Sequence, residues 1–155
     1  MYPPLVATTD TKFLDGYLPY LLRQADQTLS ASFYALLSQQ GIARSEWRVL
    51  AVLHELGELC VADLAEAALS PQPTVTHACR RLERRGLVTR TRGTTDRRQR
   101  FLSITPSGSK ITATLIREAT QLEAVALSNA GDLTALVREL QRLTDSVEQP
   151  GVSDD

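Results

Sequence analysis

Nine arginines lie between Gln72 and Arg100: Arg80, Arg81, Arg84, Arg85, Arg90, Arg92, Arg97, Arg98 and Arg100. Only two acids, Glu83 and Asp96, share that stretch, so it carries +7 while the whole chain carries −1. Guanidinium groups stay charged at every accessible pH and fit phosphate oxygens with a planar fork of donors. A one-signed block of about thirty residues is the electrostatic footprint of a polyanion-binding surface, whatever the net charge. Just ahead of it stand Gln72, Thr74, Thr76 and His77. A glutamine amide can pair bidentately with adenine, and a threonine methyl can pack on a thymine methyl.

The elements that must position these groups follow from periodicity. Leu18, Leu21, Leu22, Ala25, Leu29, Phe33, Leu36 and Leu37 recur at helical spacing and predict a helix over 18–40, closed by Gly41. Ser45 is expected to cap a second helix over 46–56, with Trp47, Leu50, Leu53 and Leu56 inward. A short third helix is expected over 61–68. Ser70 and Pro71 then predict the cap and first residue of a fourth, reaching Arg85, whose buried stripe is Val75, Ala78, Cys79 and Leu82. The period next shortens to two over 87–92 and 98–104, two strands of a hairpin. Thr105-Pro106 opens a helix to about Asn129, and Asp132 begins a last amphipathic one, giving helices across 106–147.

Two helices joined by a short turn and followed by a ribbon make a winged helix-turn-helix. The expected fold class is therefore mainly α with a small two-stranded β wing. It is read as a single domain over 1–155, with dimerisation helices at 18–40 and 106–147. The winged helix lies at 45–105, and the ends at 1–12 and 149–155 are flexible. In such a unit the second helix enters the major groove. That gives Gln72, Thr74, Thr76 and His77 the base edges, and Arg80, Arg81 and Arg84 the phosphates. The hairpin tip supplies Asp96, Arg97 and Arg98. A narrow minor groove attracts an inserted arginine, and Asp96, two residues from Arg98 on an extended segment, can fix its guanidinium.

The run Leu64-Ala65-Glu66, Thr74-Val75-Thr76 and Leu82-Glu83-Arg84-Arg85-Gly86-Leu87-Val88 resembles the MarR family of bacterial transcriptional regulators. Asp96-Arg97-Arg98 followed by Leu102-Ser103-Ile104-Thr105-Pro106-Ser107-Gly108 carries the more specific part of that resemblance. The likeness covers about residues 18–147. It implies a homodimer with intertwined terminal helices, a pseudo-palindromic double-stranded DNA operator, and repression relieved by a small ligand. It also matches Arg98 to the family's wing arginine and Asp96 to its supporting acid. The apolar terminal stripes, with little in a compact winged helix to bury them, point to the same pairing about a two-fold axis. Cys60 stands where the family usually has a Ser or Thr cap on the third helix.

The family's effectors, small aromatic carboxylates or phenols, imply a ligand wall of Tyr20, Arg23, Phe33, Tyr34, Trp47, Arg48 and His54, with a guanidinium beside aromatic surface to suit a planar carboxylate. Core packing is the competing role for Phe33 and Trp47, an ion pair for Arg48, and a packing hydrogen bond for His54. Two other functions remain open. One is a redox sensor using Cys60 or Cys79, although Cys79 falls on a buried face and is expected to be inert. The other is a winged-helix protein-interaction module, which leaves the arginine block unexplained. Neither His54 and His77 nor any glycine-rich loop supplies a metal triad, a nucleophile–base pair or a phosphate cradle, so no enzyme, metal or cofactor is expected. With no leader and no long apolar run, the expected location is the cytoplasm.

Overall fold

The computed structural model describes residues 12–92 and 100–148. The chain falls into two compact units, the first reaching Glu123 and the second starting at Ala124.

In the first unit, a four-residue turn of helix, α1 (Phe13–Gly16), precedes α2 (Leu18–Gln39), with Pro19 accommodated in the first turn of α2. There follow α3 (Arg44–Leu56), β1 (Leu59–Cys60), α4 (Val61–Ala67), α5 (Gln72–Arg84), β2 (Val88–Arg92), β3 (Arg100–Ile104) and α6 (Pro106–Ala126). The sheet has three antiparallel strands in the order β1-β3-β2, with Leu59 opposite Leu102 and Val88 opposite Ile104. The expected two-stranded wing is β2 and β3, and β1 joins it as a third strand. Leu59 and Cys60 add an edge too short to carry a period of its own.

One core cluster joins Val49, Leu50 and Leu53 of α3, Leu64 and Ala65 of α4, and the α5 stripe Val75, Ala78, Cys79 and Leu82. Leu87, Val88 and Leu102 close it from the sheet. The predicted α5 stripe is the observed one. Leu56, expected inward, is instead 59% exposed at the end of α3. Phe33, Leu37, Ile42 and Leu115 form a second cluster, with Trp47 and Tyr34 against it, and Ile111 touches both clusters. Thr105 caps α6 as expected, accepting the Gly108 N–H at 3.1 Å. Gly108 is pressed against the chain at Leu87, whose carbonyl oxygen occupies the space a Cβ would need.

Two predicted caps shift. α3 starts at Arg44 after Ala43, with Ser45 already inside it, because the Ala43 N–H is satisfied by the Glu46 carboxylate at 2.6 Å. α5 starts at Gln72 after Pro71, and Pro73 sits in its first turn. Ser70 is engaged elsewhere, its hydroxyl donating to Ala68 O at 3.1 Å.

Three helices end in the same way. After α2 the amides of Gly41 and Ile42 turn back to Ser38 O and Leu37 O, and after α5 those of Gly86 and Leu87 turn back to Glu83 O and Leu82 O. After α4 the pair is Leu69 to Glu66 O and Ser70 to Ala65 O. These are Schellman closures, which require a left-handed residue and normally use glycine. The glycines sit at φ 66° and 69°, while the third place is filled by Leu69 at φ 49°.

The second unit holds the end of α6 and α7 (Thr134–Glu148). Asp132 Oδ1 accepts from both the backbone N–H and the hydroxyl of Thr134, at 2.9 and 2.6 Å, and holds the start of α7. Those hydrogen bonds hold the Asp132 carboxyl below its ordinary pKa. Leu136, Val137, Leu140 and Leu143 are exposed along α7. Among the described residues no helix is long and apolar enough to cross a membrane.

Candidate nucleic-acid interface and ligand cavity

α5 separates its two jobs by face. Val75, Ala78, Cys79 and Leu82 are buried, whereas Gln72, Thr74, His77, Arg80 and Arg84 are exposed and Thr76 is half-buried. Gln72, Thr76, His77 and Arg80 together line a shallow surface depression, and His77, Arg80 and Arg84 line the next one along. Apart from Arg81, the base-reading and phosphate-binding candidates on α5 are therefore brought onto one outward face. Asp96, Arg97 and Arg98 lie outside the described residues.

The arginine block is not uniformly free. Arg81 Nε lies 3.1 Å from Glu46 Oε1, and Arg85 Nη1 lies 3.9 Å from Glu46 Oε2. Arg85 Nη1 also donates to Gly41 O at 3.0 Å. Arg90 makes a two-pronged contact with Glu83, Nε to Oε1 and Nη2 to Oε2, both 3.1 Å. This ties β2 to α5. Arg81, expected on phosphate, is thus turned toward α3. Arg80 and Arg84 make no described ion pair. Charge counting alone cannot separate these sets; the partners, Glu46 and Glu83, are distant in sequence from most of their arginines.

Glu46 is the residue that sequence reasoning missed. An acid three places after Ala43 suggests half of a capping box, but nothing local shows that it is fully buried. The available signal was the pair Arg81 and Arg85, four apart on one helical face.

A cavity of about 280 Å³ lies among α2, α3 and α6. Its walls include Phe33, Tyr34, Trp47, Ile116, Thr120 and Leu122. Phe33 and Trp47 meet edge to face, centroids 5.0 Å apart. Tyr34 also lines a second groove, where the Arg44 guanidinium sits 4.0 Å above its ring. Of the expected ligand wall, Phe33, Tyr34 and Trp47 are brought together here. Arg48 points elsewhere, its Nη1 donating to Ser70 Oγ at 3.3 Å. His54 shares a 3.1 Å hydrogen bond with Ser109 Oγ, the packing role open to it. Tyr20 and Arg23 are exposed on the first half of α2 and do not line the cavity. Arg44 was not among the expected ligand residues.

The cysteines are placed as structural groups. Cys60 Sγ accepts the Asp63 N–H at 3.5 Å, capping α4 despite the weakness of sulfur as an acceptor. Burial pushes the Cys79 thiol up to about 11. Among the described residues no cluster of His, Cys, Asp or Glu could hold a metal ion.

The chain resembles known proteins over both the recognition unit and most of its length. The model of the MarR family matches residues 42–99. The HTH-type transcriptional regulator FarR of Neisseria gonorrhoeae is 37% identical over 90 residues, 58% of this chain and 62% of FarR, so the match spans under two thirds of that relative. The structure of the MarR family transcriptional regulator SPO1453 from Silicibacter pomeroyi DSS-3 has a TM-score of 0.74 at 30% identity. That comparison covers 86% of this chain and 99% of the other. NadR, solved in complex with 4-hydroxyphenylacetate, has a TM-score of 0.74 at 26% identity, covering 95% of this chain and 100% of the other. With its winged helix, its outward arginine face and these likenesses, the chain belongs to the MarR family of transcriptional regulators, which bind DNA and are not enzymes.

Proposed function

We propose that the protein is a homodimeric repressor that reads a pseudo-palindromic duplex and is released by a small aromatic acid. The observation that carries this reading is the division of α5 into a buried apolar stripe and an exposed face bearing Gln72, Thr74, His77, Arg80 and Arg84. In the proposed complex α5 enters the major groove, where Gln72, Thr74, Thr76 and His77 meet base edges and Arg80 and Arg84 meet phosphates. In the same proposed complex the adjoining minor groove falls to Arg98, the residue matched to the family's wing arginine.

Dimerisation is supported by apolar side chains left in water. Leu18, Leu21, Leu22 and Leu29 of α2 and Leu136, Val137, Leu140 and Leu143 of α7 are exposed in the single chain. A two-fold partner buries them and sets two α5 helices about one helical turn apart, ~34 Å. A protein seated on that length of promoter excludes other proteins from it.

The effector reading is supported by the cavity, where Phe33, Tyr34 and Trp47 suit a single planar ring beside the polar groups of Ser30, Thr120 and Glu123, and by the 4-hydroxyphenylacetate found with NadR. An effector that prefers a different spacing of the two α5 helices weakens DNA binding by its differential affinity for the two arrangements.

Selection of duplexes from a random pool, followed by binding measurements on variants, tests the reading. Gln72→Ala is expected to relax preference at particular base pairs by about 1–3 kcal/mol. Arg98→Ala is expected to weaken all sequences with little loss of preference. Uniform losses in both variants overturn this division, and recovery of no duplex overturns DNA reading itself. For the effector arm, 4-hydroxyphenylacetate should raise the Tm and lower duplex affinity; absence of both effects rejects it as a ligand.

A further inference from the structure

Three consecutive residues at the start of α3 point to three different parts of the protein. Glu46 reaches α5, Trp47 lines the cavity, and Arg48 reaches Ser70 in the turn between α4 and α5. Glu46 is fully buried, and its Oε1 has no hydrogen-bond partner, only the Arg81 guanidinium 3.1 Å away. Its Oε2 accepts the Ala43 N–H and lies 3.9 Å from Arg85. Burying an ionised carboxylate is costly, and a neutral glutamine would cap Ala43 equally well. What only the charge supplies is a grip on the two arginines of α5.

We propose that Glu46 is a positioning residue: through Arg81 and Arg85 it holds the DNA-reading helix at the angle set by the first turn of α3, so that whatever moves Trp47 in the cavity also moves α5. This rests on the DNA-binding reading above. The geometry makes the link short. Trp47 is bonded directly to Glu46 on one side and to Arg48 on the other, and all three lie within one helical turn of backbone. A rotation of that turn to accommodate a ring against Trp47 cannot leave the grip on α5 or the hold on Ser70 unchanged. Coupling between two binding sites is reciprocal, so DNA on α5 must in turn alter the surroundings of Trp47.

The chain has one tryptophan, so its emission reports that site without a label. The full-length protein, a duplex selected by the wild type from a random pool, and the variants Glu46→Gln and Arg81→Gln make the test. In the wild type, duplex should change Trp47 emission, saturating with binding. Glu46→Gln should bind about fivefold or more weakly and, at saturating duplex, show no emission change. Arg81→Gln removes the same grip from its more exposed end. It should lose the same response while the slope of log K against log salt stays at the wild-type value. If Arg81 instead neutralises a phosphate in each protomer, that slope becomes shallower by about 2 per dimer, and the inference fails. It also fails if Glu46→Gln binds duplex with the wild-type emission change. Should Glu46→Gln not fold, Arg81→Gln decides alone. A wild type that selects no duplex overturns the DNA-binding reading and this inference with it, whereas binding with unaltered coupling overturns the inference only.

Discussion

Cys79 shows how burial sets the chemistry of a single side chain. The thiol lies in the core beneath the reading face, and desolvation raises it from 9.0 to about 11, with nearby Arg90 opposing and Glu83 reinforcing that rise. At neutral pH it is therefore a protonated, apolar-packed group and a poor nucleophile. The unfolded chain gives up this proton near pH 9, while the native protein keeps it to about 11. Between those values the unfolded state binds fewer protons, and stability must fall as pH rises. Urea titrations from pH 8 to 11 should show an alkaline loss that is diminished in Cys79→Ala. The same burial predicts that a thiol reagent at neutral pH labels Cys60 first and reaches Cys79 only after unfolding. Peroxide sensing through Cys79 would need the opposite behaviour.

At the scale of elements, the close approach of α6 to Leu87 governs how the sheet and the following helix meet. Gly108 leaves no space for a methyl group beside the Leu87 carbonyl, and backbone cannot swing aside as a long side chain can. Gly108→Ala should destabilise the fold by about 1–3 kcal/mol, read as a lower midpoint in denaturant with the slope unchanged. The elements themselves were largely legible in the chain. Val75, Ala78, Cys79 and Leu82 repeat at helical spacing beside an uninterrupted polar face, and that pattern survives any tertiary context. Legibility stopped where partners are distant. Two residues of β1 carry no alternation, and only pairing with Phe101 and Leu102 makes them a strand. Ser45 and Ser70 look like caps, yet a buried carboxylate and a helix-ending turn claim those positions. In the expected ligand wall, Phe33, Tyr34 and Trp47 lie together, whereas Tyr20 is exposed on the first half of α2. The directions of Arg48 and His54, by contrast, depended on Ser70 and Ser109, 22 and 55 residues away.

For the molecule as a whole, the pairing of acids with arginines lowers the charge offered to a polyanion. With Arg81, Arg85 and Arg90 engaged internally, a dimer that places Arg80 and Arg84 of each protomer on phosphate should show a log–log salt slope of about −4. Full use of the nine arginines would give a far steeper one. Dimerisation is required for that slope. Leu140→Glu on the exposed stripe of α7 should shift the protein to a monomer by light scattering and roughly halve the slope. A dimer that persists in this variant would place the interface elsewhere.

The turn after α4 has a practical consequence. Leu69 adopts a backbone form that costs a branched side chain roughly 1–2 kcal/mol, and with 87% of its surface in water it recovers little from the core. The equivalent places after α2 and α5 are glycines. Leu69→Gly, which keeps both return hydrogen bonds, should therefore give a hardier protein, by up to about 1 kcal/mol once the greater freedom of an unfolded glycine is deducted. Heat tolerance in this chain is open to improvement at a site that no neighbour fills.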